Sequence, residues 1–244
     1  MHPDQITVVI PTYNERENIP HLIGALRLAG HRVLVVDDGS PDGTGAVVDE
    51  LAADDSFVDV IHRTEKAGLG PAYGAGFRKA LDAGAAVVVE MDADFSHNPN
   101  DLPRLVAAVS EGADVVIGSR YVPGGSTPDW PLVRRLISRS GNIYARIMLG
   151  IRINDATAGF RAFRATALAR LPFPEAEASG YAFQVEMAYY AVRAGLAVRE
   201  VPITFRDREH GTSKMSMRIV VEAMWLVTVW GFQRMGRKLP FGRR

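Results

Sequence analysis

Five apolar runs punctuate the first half of the chain: ITVVI (6–10), RVLVVDD (32–38), VDVIH (58–62), AVVVEMD (86–92) and ADVVIGS (113–119). They are short, rich in Val and Ile, and hold few polar residues. That pattern suits strands buried on both faces of a parallel sheet. Between them lie stretches with helix-like spacing at 16–30, 42–55, 70–84 and 98–112, three of which end in glycine, as helix C-termini often do. The alternation predicts βαβ units and an α/β fold with a doubly wound, mostly parallel sheet flanked by helices.

Beyond residue 120 the pattern loosens. YVPGGSTPDWP (121–131) predicts a loop, 132–150 a helix, 154–168 a segment that begins as a turn, 180–195 a helix and 197–205 a strand. The last segment, 216–238, is apolar from Ile219 to Phe232 except at Glu222, Thr228 and Gly231. It falls short of the roughly 20 apolar residues that span a bilayer. Trp225 and Trp230, followed by Arg234, Arg237, Lys238, Arg243 and Arg244, suit a helix lying in a membrane interface; a C-terminal helix packed on the sheet is the other reading. The expected organisation is a catalytic domain over 1–215 and a C-terminal amphipathic helix with a basic tail over 216–244.

Composition narrows this picture only slightly. The chain has 244 residues, enough for a sizeable core, and no cysteine, which excludes disulfides and thiolate metal sites and suits a reducing compartment. No basic segment followed by a long apolar one opens the chain, so no signal peptide is read. Net charge is zero but unevenly spread: residues 201–244 carry nine Lys/Arg against three Asp/Glu. Such a basic end suggests an anionic surface or a phosphate nearby, or simply a solvated basic tail. Nucleic acid is not expected as a partner.

In open α/β sheets ligands bind beyond the carboxyl ends of the strands. Three predicted strands exit there into polar loops: PTYNE (11–15), VDDGSPDG (36–43) and DADFSH (92–97). The first lacks the glycines of a dinucleotide-binding turn, and no GxxxxGK[ST] occurs, so neither a nicotinamide-type site nor a P-loop is expected. Another nucleotide mode fits. Tyr13 can stack a base, and Glu15 or Asp38 can accept hydrogen bonds from ring N–H or ribose hydroxyls. Asp92 and Asp94, crowded at a strand end, tolerate each other if a hard divalent cation, Mg²⁺ or Mn²⁺, lies between them. Such an ion would bridge the diphosphate of a nucleotide sugar and neutralise the charge of the leaving group. His97 is read as a supporting or helix-start residue rather than a base, and Arg206 as a solvated surface residue.

Taken together, VVIPTYNERENI, VVDDGSPDGT, MDADFSHNP, IGSRYVPGG and REHGTSK resemble the family 2 glycosyltransferases of the GT-A fold, most closely the dolichol- (polyprenol-) phosphate mannose synthases. The resemblance runs from about Ile6 to Lys214. It implies that Pro11, Tyr13 and Glu15, with Val36 and Asp38, hold the nucleoside, and that Asp92, Ala93 and Asp94 meet the donor phosphates. Asp92 and Asp94 would ligate the metal. Ser96 stands where family members often carry Gln, so its contact is expected through water. Arg120, Arg134, Arg208 and Lys214 would meet donor and acceptor phosphates, with Ser119 beside Arg120, and 204–216 would form a lid. The implied activity is inverting transfer of mannose from GDP-mannose to a dolichyl or polyprenyl monophosphate. A phosphate monoester is already a nucleophile at neutral pH, so no strong general base is required. The implied setting is peripheral, on the cytoplasmic face of a membrane, through the C-terminal helix or a membrane-protein partner, and helix 132–150 could also face lipid. A UDP-glucose-dependent polyprenyl-phosphate glucosyltransferase, a transferase to a soluble sugar acceptor and a non-catalytic binding module are the alternatives.

Overall fold

Each apolar run forms a strand: β1 (Ile6–Thr12), β2 (Arg32–Asp37), β3 (Val58–His62), β4 (Val87–Glu90) and β5 (Val115–Ser119). Helices α1 (Ile19–Leu28), α2 (Thr44–Asp54), α3 (Leu69–Asp82) and α4 (Leu102–Ser110) alternate with them. The computed structural model describes residues 2–64, 68–172, 181–207 and 217–236. The remaining described elements are α5 (Leu132–Leu149), β6 (Arg161–Arg164), α6 (Ala165–Leu168), α7 (Tyr181–Arg193), β7 (Val198–Pro202) and α8 (Met217–Gly236).

The strands form one seven-stranded sheet in the order β3-β2-β1-β4-β6-β5-β7. All pairings are parallel except those of β6, which runs antiparallel between β4 and β5. The segment 154–168 begins as a turn, as its sequence reading expects, and then forms this strand, which that reading did not foresee. The strand is four residues long and begins and ends in Arg, which hides its apolar centre. Sequence order reverses about β1: β2 and β3 lie to one side and β4 to the other. The carboxyl ends of β2, β1 and β4 therefore stand next to one another, and ligands of open α/β sheets bind at such a reversal.

Apolar layers cover both faces. On one, Val9, Val36, Val88 and Phe163 meet Tyr73 and Phe77 of α3 and Phe183 of α7. The rings of Tyr73 and Phe77 stack at 5.5 Å, and those of Tyr73 and Phe183 at 5.7 Å. On the other, Val8, Ile10, Val35 and Val89 meet Leu22 and Leu26 of α1 and Leu105 and Val109 of α4. Gly76 lets α3 close onto the sheet: a Cβ there would stand 2.3 Å from Cγ1 of Val9. Gly76→Ala is therefore expected to lower stability by about 1–3 kcal/mol through overpacking, measurable as a lower melting temperature or urea midpoint.

α8 packs on α5 and α7 rather than on the sheet. Val227 is buried, Tyr144 and Thr228 share a 2.6 Å hydrogen bond, and Tyr189 stacks on Trp230. Val221, Trp225 and Phe232 remain exposed, Trp225 at 67%. One side of this helix thus docks on α5 and α7, where the sequence reading offered the sheet, and other large apolar residues face outward. Among the described residues no helix is long and apolar enough to cross a membrane. The basic residues 237–244 lie outside the described residues.

Candidate active site

At the tips of β1 and β2 the register sets Pro11 beside Val36 and Thr12 beside Asp37. Two carboxylates that the sequence reading passed over tie these loops together. Asp37 accepts hydrogen bonds from the Thr12 hydroxyl (3.0 Å) and from the N–H of Ser40 (3.1 Å) and its hydroxyl. Asp42 accepts from the N–H groups of Arg16 and Thr44. Ser40 in turn accepts from Asn14 N–H and Thr44 from Glu15 N–H, each at 3.0 Å. Tyr13 and Glu15 are thereby held half-buried at the mouth of the β1–β2 crevice. Asp38 is buried beside them, and its Oδ1 accepts from Arg63 at 2.7 Å.

The acidic loop after β4 is equally constrained. Asn14 and Phe95 are the non-glycine residues with positive φ among the described residues, at 58° and 59°. Both sit in loops at the ligand end of the sheet. Such left-handed backbone persists where surrounding contacts over-determine it. Here Asp94 Oδ1 accepts from Ser96 N–H at 3.1 Å, closing the turn around Phe95. His97 is buried, stacked on Phe160 and met edge-on by Phe205, and its Nδ1 accepts from Asp92 N–H at 3.2 Å. The imidazole thereby supports the main chain of Asp92. Asp92 leaves 36% of its side chain accessible, whereas Asp94, Ala93 and Ser96 are buried. The Ser96 hydroxyl is buried with no hydrogen-bond partner among the described residues.

Behind this loop lies a polar layer. Glu90, Arg161, Tyr73 and Gln184 are all almost wholly inaccessible to solvent, and Glu90 stands opposite Arg161 in the β4–β6 register. Burial pushes the Glu90 carboxyl up to about 7, with Arg161 opposing and Asp92 adding to the rise. Burial also raises Tyr73 well above the ordinary phenol, helped by the charges of Asp92 and Glu90. Arg161 donates from Nε to the carbonyl of Ala158 (2.9 Å) and from Nη2 to that of Ala156 (2.8 Å). It thus fixes the loop 155–159, whose two ends serve two places. A Cβ at Gly159 would lie 3.7 Å from an Asp92 carboxylate oxygen. Asp155 accepts from the main-chain N–H, Nε and Nη2 of Arg120 at 2.9, 2.7 and 2.6 Å, and Thr157 accepts from the same Nη2 at 2.8 Å.

Arg120 is caged by the rings of Tyr121, Trp130 and Phe205 at 5.2–5.5 Å. Arg134 lies over the other ring contact of Trp130, at 4.1 Å, and pairs with Asp207 at 2.6 Å. Ser119 is buried, with its Oγ accepting from Tyr121 N–H. The chain at 203–207 ties these parts together: Phe205 N–H donates to Ser126 O, and Arg206 N–H to Ser96 O. The Arg206 residue is exposed, as its sequence reading expects. Arg208 and Lys214 lie outside the described residues, but the segment leading to them enters beside the acidic loop.

A profile of the family described as "Glycosyl transferase family 2" matches residues 7–171. The chain belongs to glycosyltransferase family 2. Among the relatives of this glycosyltransferase is polyprenol monophosphomannose synthase of Mycolicibacterium smegmatis, 52% identical over 237 residues, covering 96% of this chain and 89% of that one. Undecaprenyl-phosphate mannosyltransferase of Micrococcus luteus is 54% identical, covering 93% and 94%. Among solved structures, glucosyl-3-phosphoglycerate synthase of Mycobacterium tuberculosis in complex with Mn²⁺, UDP-glucose and phosphoglyceric acid superposes with a TM-score of 0.65 at 23% identity, covering 93% of this chain and 79% of that one. That likeness carries the fold, a GT-A-like mixed α/β sheet.

For this family 2 glycosyltransferase, the structure brings Pro11, Tyr13, Glu15, Val36 and Asp38 to one crevice and Asp92, Ala93, Asp94 and Ser96 to the adjoining strand tip. It places Ser119 and Arg120 in the interior, Arg120 already engaged by Asp155. Sequence reasoning missed Asp155, Thr157, Glu90 and Arg161. The signal available for Arg161 was a lone Arg flanked by Phe160, Ala162 and Phe163, where a cation has to be buried or turned out.

Proposed function

We propose that the chain transfers mannose from GDP-mannose to a polyprenyl (dolichyl-type) monophosphate, with inversion and with Mg²⁺ or Mn²⁺. The observation that carries this reading is the acidic strand tip Asp92-Ala93-Asp94 beside the β1–β2 crevice, in a chain more than half identical to two enzymes named for mannosyl transfer to polyprenyl phosphates.

The donor set fits a hard divalent ion. Among the described residues no three His, Cys, Asp or Glu side chains converge, so protein carboxylates would fill only part of a coordination shell. Mg²⁺ and Mn²⁺ accept that arrangement, being held by one or two carboxylates plus phosphate oxygens and water. Asp92 and Asp94 would hold the ion, and the Ser96 hydroxyl, buried and without a hydrogen-bond partner among the described residues, would bond a water beside it. When bound, the ion neutralises charge on the departing nucleoside diphosphate.

The chain's own groups then do the rest. Tyr13 and the Asp38–Arg63 pair border the base, and Pro11 and Val36 floor the crevice. His97 holds the Asp92 main chain, and Arg161 holds the Ala156 and Ala158 carbonyls of the loop whose Gly159 lies near Asp92. Arg134, with Arg208 and Lys214, would offset repulsion between acceptor phosphate and donor diphosphate. Arg120, fixed by Asp155, keeps its charge in place behind the site without having to reorganise. The acceptor oxygen attacks directly, so alignment and charge compensation carry the catalysis.

A lipid acceptor brings the protein to a membrane. Leu132, Leu136, Ile143 and Ile147 of α5 are exposed, as are Val221, Trp225 and Phe232 of the adjoining α8. We assign these two helices to peripheral contact with the cytoplasmic leaflet.

Incubation of the protein with Mg²⁺, a polyprenyl phosphate and either labelled GDP-mannose or labelled UDP-glucose tests the reading. Label should enter the organic phase only from GDP-mannose, cease on chelation, and return with Mn²⁺. Transfer from UDP-glucose alone, or transfer indifferent to chelation, overturns it.

A further inference from the structure

The stretch 203–207 leaves β7 and crosses between the acidic loop and the loop that follows Arg120. Its main chain bonds to both: Phe205 N–H donates to the carbonyl of Ser126 at 3.0 Å, and Arg206 N–H to that of Ser96 at 3.3 Å. The half-buried Phe205 ring makes the same connection through side chains. Toward the acidic loop it meets the imidazole of His97 edge to face, with ring centres 5.5 Å apart and planes at 76°. Toward the other loop it meets the indole of Trp130 in the same manner, at 5.4 Å and 75°. The guanidinium carbon of Arg120 stands 5.5 Å from its centre.

Each neighbour of this ring holds a group of the site. His97 accepts the Asp92 N–H and stacks on Phe160. Trp130 lies under the Arg134 guanidinium at 4.1 Å, and Asp207, two residues after Phe205, pairs with the same Arg134. Edge-to-face ring pairs are directional, so a shift of Phe205 that suits one partner misplaces it for the other. An aliphatic side chain could fill this space, but it has no ring to offer an imidazole and an indole at once.

We propose that Phe205 is a positioning residue that couples the two halves of the site, so that metal and nucleoside diphosphate at the acidic tip tighten binding of the acceptor phosphate. The inference rests on the reading of Asp92 and Asp94 as metal ligands and of Arg134 as an acceptor cation. A ligand that holds the acidic loop in this geometry holds the His97 ring and, through Phe205, Trp130 and Arg134. The second ligand then meets a cation already arranged and loses less affinity in arranging it. By linkage the effect is reciprocal: the acceptor tightens metal and nucleotide by the same factor.

Calorimetry on the full chain tests this. A short, water-soluble prenyl phosphate is titrated into the protein alone and into the protein saturated with Mn²⁺ and GDP, which bind without turnover. In the unaltered chain, Mn²⁺ and GDP should tighten the acceptor roughly tenfold. Phe205→Leu keeps the main-chain bonds and removes the ring, and the tightening should shrink to less than about threefold. Affinity of the metal-free and nucleotide-free variant for the acceptor should be unchanged. Phe205→Tyr restores the ring and should keep a tightening of about fivefold or more. If Phe205→Leu is too unstable to titrate, Phe205→Met takes its place with the same expectation. Equal acceptor affinity of the unaltered chain with and without Mn²⁺ and GDP overturns the proposal. So does a lower melting temperature in the ring-less variant with the tightening intact, since the ring would then only fill space. A Phe205→Tyr chain that couples no better than Phe205→Leu overturns it too. Failure of the unaltered chain to bind GDP with Mn²⁺, or to transfer mannose, is a different result: it sinks the proposed function, and this inference with it.

Discussion

Asp94→Asn is expected to lower kcat/KM for mannosyl transfer by on the order of a thousandfold, with little change in melting temperature. The choice of asparagine separates two duties of this side chain. Its Oδ1 accepts from Ser96 N–H and closes the turn that holds Phe95 at positive φ. An amide oxygen can still make that bond, so the loop should keep its shape. The negative charge is lost, and with it half of the carboxylate pair proposed to hold the cation. A thousandfold corresponds to about 4 kcal/mol of transition-state stabilisation, within the range for a bound metal acting on a leaving diphosphate. The variant should also need more Mn²⁺ for half-maximal rate. Label-transfer kinetics over a Mn²⁺ series, with circular-dichroism melting alongside, measure both effects. Retention of a tenth or more of the activity would remove Asp94 from the reaction.

The second large effect concerns stability. Asp155→Ala is expected to cost about 3–5 kcal/mol, because it leaves the Arg120 guanidinium buried and without its carboxylate. Asp155 is wholly inaccessible to solvent and receives three hydrogen bonds from Arg120 alone. For a chain of this size the loss corresponds to a fall in melting temperature of roughly 6–20 °C. The penalty belongs to a buried charge that has lost its carboxylate rather than to the missing pair as such. Converting both partners, Arg120→Met with Asp155→Leu, should therefore recover much of the stability while activity stays low. Thermal melts of the single and double variants give the coupling directly. A fall of less than about 2 °C for Asp155→Ala would mean that water already reaches Arg120.

Much of this molecule is readable from its chain. Val-rich runs such as RVLVVDD leave no room for a half-solvated strand, so β1 to β5 follow from composition and spacing. The acidic loop stands out because Asp92 and Asp94 end such a run. What escapes are features set by tertiary partners. β6 carries Arg at both ends and becomes a strand only because β4 and β5 flank it on either side. Asp37 and Asp42 look like further ligand groups in VDDGSPDG, and only the fold reveals that they are occupied with Thr12, Ser40, Arg16 and Thr44. The reading of Arg120 as an acceptor cation carried no hint of Asp155, which lies 35 residues away in sequence.

One loop, 155–159, grips Arg120 at its start and abuts Asp92 at its end, with Arg161 bolting its middle. If the proposed acceptor and donor roles hold, mutating that loop to change acceptor preference should shift donor kinetics in step, because the same five residues contact Arg120 at one end and approach Asp92 at the other. Independent control of the two substrates is better sought where the halves do not share backbone, along the solvent side of α5 for one and in the β1–β2 crevice for the other.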